Sequence, residues 1–192
     1  PLDFYDWLGD SWGILFSHPA AFTPVCTTEL GTVARLKPEF DRRNVKVIGI
    51  SVDKLSSYTE WIGDIEATQR VAMNFPLIAD PDGEIARLYE MFHPLADDSS
   101  LVRSVFVIDP SKRIRLILVY PNAVGRNFAE ILRAVDALQL VDGYRVNTPA
   151  DWQPGEDVLI GLNVSDDEAR RRYPKGFTAV RPYLRFTPQP DR

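Results

Sequence analysis

Apolar runs and stretches of helical periodicity alternate along the chain from residue 12 to about residue 140. Five apolar runs predict strands, which lie at residues 12–16, 45–52, 75–79, 104–109 and 114–120. Apolar positions at helical spacing predict four helices, which run from about residue 26 to 43, from 57 to 69, from 84 to 91 and from 128 to 140. Ser57 has capping-box spacing ahead of the second helix, and Pro38 is expected to kink the first helix or end its first half.

The order of these elements predicts the fold class. A β-α-β-α order followed by β-β-α indicates an α/β sandwich with a central mixed sheet. This is the pattern of a thioredoxin-like three-layer sandwich. The polar stretch from residue 93 to 100 is predicted to be an exposed loop between the third and fourth strands.

The chain changes character after about residue 140. Residues 146–157 are polar and proline-marked, as in a linker. A strand is predicted at 158–160, a short helix capped by Ser165 follows, and residues 183–186 are predicted to be extended. This tail is expected to have too little apolar content for a core of its own, so it must lie against the main domain or a partner subunit. We therefore predict a main domain over residues 1–140 and a small C-terminal extension over 141–192.

Composition narrows the class of protein. The chain is 45% hydrophobic and 26% charged, which is typical of a soluble globular protein. Its formal net charge of −5 argues against a nucleic-acid surface, and no apolar run is long enough to span a membrane. One cysteine excludes an internal disulfide, and two distant histidines, His18 and His93, lack metal-ligand spacing, so no metal or cofactor is expected.

The number of cysteines also indicates the cellular compartment of the protein. A chain with one cysteine suits a reducing environment, and we expect a cytoplasmic protein. The sequence begins at Pro1 and not at methionine, so a preceding piece could have carried a targeting segment or another cysteine.

The single cysteine, Cys26, lies where a thiol becomes reactive. It is predicted in the first turn of a helix, where free backbone N–H groups and the helix dipole favour the thiolate. The alternative is a buried structural cysteine, and its placement alone does not decide between the two. Leu30, Val33 and Ala34 share its helical face, which predicts an inward-facing thiol at the bottom of a pocket.

Several motifs together point to one family. Pro19, Thr23 and Cys26 have P-x-x-x-T-x-x-C spacing, and Arg103 begins a strongly apolar strand. The chain also contains Phe-Thr-Pro-Val-Cys-Thr-Thr-Glu-Leu, Gly-Arg-Asn-Phe at residues 125–128 and a closing Tyr-Leu-Arg-Phe-Thr-Pro-Gln-Pro. From Phe4 to its end the chain closely resembles the peroxiredoxin family, in its one-cysteine branch.

The resemblance implies a thiol peroxidase that reduces hydrogen peroxide and organic hydroperoxides. Cys26 would attack the peroxide and become a sulfenic acid. By resemblance, Arg103 lies beside the sulfur, favours the thiolate and polarises the peroxide, whereas Thr23 hydrogen-bonds the peroxide and Pro19 shields the pocket. Taken alone, these three residues would be a surface charge, a helix cap and a turn residue.

Three further residues are possible supports of the site. The resemblance implies that His18 approaches Cys26, although a turn histidine without a role is the alternative. Glu29 resembles a structural or supporting residue of the family, or it simply favours the helix N-terminus. Arg126 resembles a family arginine that supports the site or a dimer contact.

The partners are also expectations from the resemblance. No second cysteine can condense with the sulfenic acid, so an external reductant is required: a small thiol, a thiol protein or ascorbate. The resemblance implies a homodimer, or a higher ring, with the C-terminal extension against the neighbouring subunit. The family also has a strand or hairpin ahead of the present residue 1, whose absence would leave an exposed sheet edge.

Two other functions remain as alternatives. Residues 9–13 read Gly-Asp-Ser-Trp-Gly, the form of a hydrolase elbow, and some mammalian relatives are credited with phospholipase activity. However, Ser11 precedes a strand here, Tyr5 and Ser111 stand at the positions that match the family's histidine and aspartate, and Asp109 is close without being the matched residue. The second alternative is a thioredoxin-fold chaperone or binding module, which an exposed, unreactive Cys26 would favour.

Overall fold

The computed structural model describes residues 2–92 and 100–191. All but the last residue of the loop predicted at 93–100 lies outside this range. Residue contacts divide the chain into two compact units, Pro1–Phe128 and Ala129–Arg192. This division falls at the start of the last helix of the predicted main domain, whereas the sequence placed it near residue 140.

The first unit is built on a five-stranded mixed sheet. In chain order its strands are β1 (Trp12–Ser17), β2 (Val45–Ser51), β3 (Leu77–Ala79), β4 (Arg103–Ile108) and β5 (Ile114–Tyr120). The spatial order is β3-β2-β1-β4-β5, with β1, β2 and β3 parallel and β4 and β5 antiparallel to their neighbours. Every residue of β1 and β4 is buried, which explains their continuous apolar character. The predicted mixed sheet and its hairpin are confirmed.

The first unit contains three of the predicted helices with shifted ends, and a further short helix, α1 (Phe4–Leu8), that was not predicted. The three predicted helices are α2 (Pro24–Arg42), α3 (Leu55–Gln69) and α4 (Glu84–Leu88). The capping box predicted at Ser57 is wrong, because α3 already begins at Leu55 and its N-cap is Lys54. Of the two outcomes predicted for Pro38, an end of the helix is excluded, because α2 continues to Arg42.

The second unit has its own sheet. It contains α5, which runs from Phe128 to Tyr144 and so is longer than predicted, and α6 (Asp166–Arg172). Four short strands pair in the order β6-β7-β9-β8, and they are β6 (Val146–Asn147), β7 (Val158–Ile160), β8 (Thr178–Arg181) and β9 (Leu184–Thr187). The predicted Ser165 cap is confirmed, since its side chain accepts the Glu168 N–H.

The expectation that the tail lacks a core is wrong. Trp152 is fully buried, and Tyr173 and Val158 join it in one apolar cluster of this unit. Two aromatic residues bury enough area to supply a small core that the low overall apolar content did not suggest. Among the described residues, no helix is long and apolar enough to cross a membrane.

Candidate active site

Cys26 lies in the first turn of α2, which the loop of residues 18–23 connects to β1. Pro24 begins the helix and Thr23 is its extended N-cap residue, so the chain turns sharply into the helix before the cysteine. Cys26 is fully buried, and Leu30 and Val33 on the same face are buried with it. The inward-facing thiol is therefore confirmed. A cavity of about 420 Å³ opens beside Thr23, but Cys26 does not line it.

Arg103 reaches the sulfur from the first residue of β4. Its Nη1 donates to Cys26 Sγ at 3.2 Å and to Glu29 Oε2 at 2.8 Å. Its Nε and Nη2 both donate to the Asn122 carbonyl, at 2.9 and 2.7 Å. The guanidinium is thus held from both sides and points one N–H group at the sulfur. Arg103 is 2% exposed, so it is not the surface charge that a lone arginine at a strand end would suggest.

Glu29 joins two buried arginines. It lies one turn after Cys26 on α2 and accepts from Arg126 Nε at 3.0 Å, from Arg126 Nη2 at 2.6 Å and from the Arg126 backbone N–H at 2.8 Å. Arg126 Nη1 also donates to the carbonyls of Ser17 and Ser104. Burial lowers the Arg126 pKa, and the Glu29 carboxylate opposes that effect. Glu29 is therefore a bridge between arginines and not merely a favourable helix-start charge.

The charges of this cluster favour an anionic sulfur. Two guanidinium groups, from Arg103 and Arg126, share the one carboxylate of Glu29 in a buried site. Among the described residues, Glu29 is the only carboxylate that pairs with either guanidinium, so one excess positive charge lies away from water, which is costly. A Cys26 thiolate beside Arg103 supplies the missing negative charge. The geometry thus suits a nucleophilic thiolate.

Thr23 and Pro19 lie on the loop that leads into α2. The Thr23 hydroxyl donates to the Ala20 carbonyl at 2.9 Å and does not cap the helix. The role of a simple helix cap is thereby excluded for its side chain. Pro19 is buried, and Phe22 adopts a φ of 55°, which is uncommon for a residue other than glycine.

His18 is fully buried at the end of β1. Its Nε2 lies 3.1 Å from the Tyr58 hydroxyl, and its ring also packs against Trp61 with centroids 5.5 Å apart. Burial, followed by the positive charges of Arg126 and Arg103, lowers the His18 pKa to about 3. The ring is therefore neutral at ordinary pH and adds no third positive charge to the site.

Comparison with known proteins decides the family. Residues 1–117 match the model of the AhpC/TSA family, and residues 137–176 match that of the C-terminal domain of 1-Cys peroxiredoxin. The chain belongs to the peroxiredoxin family. The second match places it in the one-cysteine branch, as the sequence motifs predicted.

Curated relatives support this assignment along the whole chain. The chain is 52% identical over 191 residues to the 1-Cys peroxiredoxin of Dictyostelium discoideum, covering 100% of this chain and 79% of that protein. It is 54% identical over 193 residues to the mitochondrial peroxiredoxin PRX1 of Saccharomyces cerevisiae, covering 97% and 74%. It is 47% identical over 202 residues to human peroxiredoxin-6, covering 97% and 89%.

Solved structures confirm the fold. A cysteine-to-serine mutant of the peroxiredoxin 6 of Arenicola marina superposes with a TM-score of 0.92 at 44% identity, covering 100% of this chain and 91% of that one. The yeast mitochondrial 1-Cys peroxiredoxin gives a TM-score of 0.91 at 54% identity, covering 97% and 91%. This peroxiredoxin is accordingly a thiol peroxidase with one reactive cysteine, and an external reductant restores its thiol.

Three residues behind the site of this peroxiredoxin were missed at the sequence level. Ser51 is the last residue of β2, Asp53 lies just after that strand, and Tyr58 lies on α3. The strands β1 and β2 are parallel, so the polar residues after them meet at one sheet edge. The predicted strand order is enough to place these polar residues at the same edge, but their hydrogen bonds depend on side-chain geometry that the sequence does not give.

The hydrolase motif of this peroxiredoxin lies away from these groups. The Ser11 hydroxyl is within 2.8 Å of Asn44 Oδ1, to which it donates. His18, the one histidine among the described residues, follows the opposite end of β1. Seven residues of extended chain separate the two by roughly 20 Å. The serine also precedes a strand, whereas a nucleophile elbow follows one.

Proposed function

We propose that Cys26 reduces peroxides by direct attack of its thiolate, with Arg103 as the group that orients the attack. The sulfur bonds to the terminal oxygen of the hydroperoxide, the O–O bond breaks and an alkoxide leaves. A proton converts the alkoxide into alcohol, or into water for hydrogen peroxide, and Cys26 is left as a sulfenic acid. The single observation that carries the proposal is the 3.2 Å contact between Arg103 Nη1 and Cys26 Sγ.

We assign Thr23 and Pro19 to binding and enclosing the peroxide. The Thr23 hydroxyl gives its proton to the Ala20 carbonyl, so its oxygen is free to accept the O–H of a hydroperoxide. Pro19 contributes a buried apolar wall that lacks an N–H group. Because Cys26 is fully buried, the loop of residues 19–23 has to shift before a peroxide reaches the sulfur.

A stoichiometric reaction tests this proposal. Reduced protein is mixed with one equivalent of hydrogen peroxide, and Cys26 oxidation is followed by mass and by a sulfenic-acid trap. We expect one trapped adduct per chain in the parent and none in Cys26→Ser. Consumption of peroxide no faster than by free cysteine would overturn the proposal.

We propose that a thiol is the physiological reductant. The structure of the yeast relative is described as showing thiol resolution via the glutathione and thioredoxin systems. A thiol can attack the sulfenic acid of Cys26 to form a mixed disulfide, which a second thiol then reduces. Single-turnover recovery of the thiol with glutathione, reduced thioredoxin or ascorbate separates the candidates. Faster recovery with ascorbate than with either thiol would contradict this assignment.

We further propose a homodimer in which the C-terminal extension contacts the neighbouring subunit. Strand β5 has one neighbour in the described sheet, and Ile117 and Val119 on it are 52% and 63% exposed. An apolar edge strand of this kind favours pairing with another chain. The second unit also exposes Tyr183 and Val180.

We also propose that the protein is cytoplasmic, although the yeast relative is named as a mitochondrial protein. The location of the tagged full-length protein in cells tests this proposal.

The alternative of a purely non-catalytic binding module is not favoured. It was expected to have an exposed, unreactive cysteine, whereas Cys26 is buried and accepts a hydrogen bond from a guanidinium.

A further inference from the structure

Four polar side chains form a hydrogen-bonded chain beside the loop that carries Thr23. Asp53 Oδ2 lies 2.6 Å from Ser51 Oγ, and Ser51 Oγ lies 2.7 Å from Tyr58 Oη. Tyr58 Oη in turn lies 3.1 Å from His18 Nε2. These four residues connect the ends of two parallel strands with α3, and none of them belongs to the motifs that pointed to the family.

The direction of each proton in this chain follows from its first member. A carboxylate only accepts hydrogen bonds, so Ser51 donates its proton to Asp53. The Ser51 oxygen then accepts from the Asp53 backbone N–H, 3.1 Å away, and from the Tyr58 hydroxyl. Tyr58 has one proton, which it directs to Ser51 and shares with the Ile78 carbonyl at 3.2 Å.

The same reasoning settles which nitrogen of His18 carries its proton. Because the Tyr58 proton points away from His18, the Tyr58 oxygen accepts from an N–H at Nε2. A neutral imidazole has one N–H, so Nδ1 carries a bare lone pair. Consistent with this, Nδ1 is buried and has no hydrogen-bond partner among the described residues. Burial and the two nearby arginines keep the ring neutral, although the Ala20 backbone acts in the opposite direction.

Asp53 also holds the active-site loop directly. Its Oδ2 accepts the N–H of Ala21, the middle residue of the loop of residues 19–23, at 2.7 Å. The next residue, Phe22, has a positive φ, and such a backbone conformation persists only when the surrounding contacts maintain it. One carboxylate oxygen thus contacts both the loop and the start of the hydrogen-bond chain.

We propose that Asp53 is a positioning residue of this peroxidase, which holds the loop through Ala21 and, through Ser51 and Tyr58, keeps His18 as its Nε2–H tautomer. Only the expected effect of Asp53 on the reaction rate rests on the peroxidase mechanism proposed above. With its N–H directed to Tyr58, His18 has only an acceptor at the buried Nδ1.

Nitrogen NMR of the ring tests the tautomer without any turnover, so the result stands whether or not the peroxidase mechanism holds. The chain has two histidines, and the signals that vanish in His18→Asn belong to His18. We expect a pyrrole-type signal at Nε2 and a pyridine-type signal at Nδ1 in the parent. A proton on Nδ1, or an even mixture of tautomers, would overturn the proposal.

Three variants separate the two tasks of Asp53. Asp53→Ala is expected to give mixed tautomers and to lower the rate constant for peroxide about tenfold, the effect of losing a hydrogen bond that orders the loop. Asp53→Asn should retain the Nε2–H tautomer, because its carbonyl oxygen can accept the same two protons. Tyr58→Phe should mix the tautomers while leaving the Asp53 bond to Ala21 intact.

Two results would contradict the proposed role of Asp53. A single Nε2–H tautomer in folded Asp53→Ala, or mixed tautomers in Asp53→Asn, would show that acceptance by Asp53 does not set the proton on His18. Circular dichroism on each variant establishes that it is folded before the signals are compared.

Discussion

Arg126 and Glu29 form a two-point ion pair, with Nε 3.0 Å from Oε1 and Nη2 2.6 Å from Oε2. Both side chains are buried, and the two residues are far apart in sequence, since Glu29 lies on α2 and Arg126 lies just before α5. A planar guanidinium facing a carboxylate in this way has a fixed orientation. Glu29 therefore has a fixed position from which its Oε2 orients Arg103, the residue that we propose to orient the peroxide at Cys26.

Removing the charge of Glu29 should destabilise the fold. In Glu29→Gln two buried guanidinium groups lose their carboxylate, and breaking a buried pair costs about 3–5 kcal/mol. Urea unfolding should show a lower midpoint with an unchanged slope. The matched control is Glu39→Gln, which removes a carboxylate paired with Arg42 and Arg43 on the exposed side of the same helix and should change the midpoint little. Equal losses in the two variants would contradict the bridging role of Glu29.

The His18 ring should make the stability depend on pH. Its pKa is about 3 in the folded protein and 6.5 when unperturbed, so below pH 6.5 the unfolded state binds a proton that the folded state does not. The free energy of unfolding therefore falls as the pH drops from 6.5 towards about 3, by up to about 1.4 kcal/mol per pH unit. His18→Asn lacks this contribution. Urea unfolding at several pH values should show a shallower dependence in the variant, and parallel curves would contradict a buried neutral ring.

The sequence was sufficient for the order of the elements and for the reactive cysteine. The strands of the sheet are continuous apolar runs, which local patterns identify, whereas the reactivity of Cys26 followed from its occurrence together with Pro19, Thr23 and Arg103 and not from its placement alone. The partners of Glu29 were beyond such reasoning, because Arg103 and Arg126 come from distant parts of the chain. Only the folded sheet brings them together.

Errors at the sequence level have local physical causes. Ser57 has the spacing of a capping box, but the chain after β2 already turns helical at Leu55. The small core around Trp152 was missed because a few large aromatic residues, rather than many apolar ones, supply its buried area. The Asp53–Ser51–Tyr58 connection needs the side-chain geometry itself, since each residue alone is an ordinary surface or cap candidate.

The proposed dimer makes a prediction at the edge of the first sheet. Val119→Lys places a charge on an exposed apolar position of β5, and charged side chains on an edge strand oppose pairing between chains. Sedimentation should show a shift towards monomer. Val124→Lys, a change of the same kind on an exposed residue outside the strands, should leave the oligomer intact. An unchanged mass for Val119→Lys would place the interface elsewhere.

The G-x-S-x-G motif is predicted to have no hydrolytic role. Ser11 donates to Asn44, and no histidine among the described residues is near it. The parent protein should release no fatty acid from phosphatidylcholine vesicles, and Ser11→Ala should reduce peroxide at the parental rate. Hydrolysis by the parent that is lost in Ser11→Ala would reverse this conclusion.

The contact between Arg103 and Cys26 is the central claim, and the rate of sulfenic acid formation tests it most directly. Rapid mixing with hydrogen peroxide gives the second-order rate constant for the parent, Arg103→Met and Arg103→Lys. Removal of a preorganised donor at the reacting atoms should lower it about 10²- to 10³-fold in Arg103→Met. Arg103→Lys keeps the charge without the planar fork and should fall in between. A rate constant for folded Arg103→Met within about twofold of the parent, with Cys26→Ser inactive, would contradict the account.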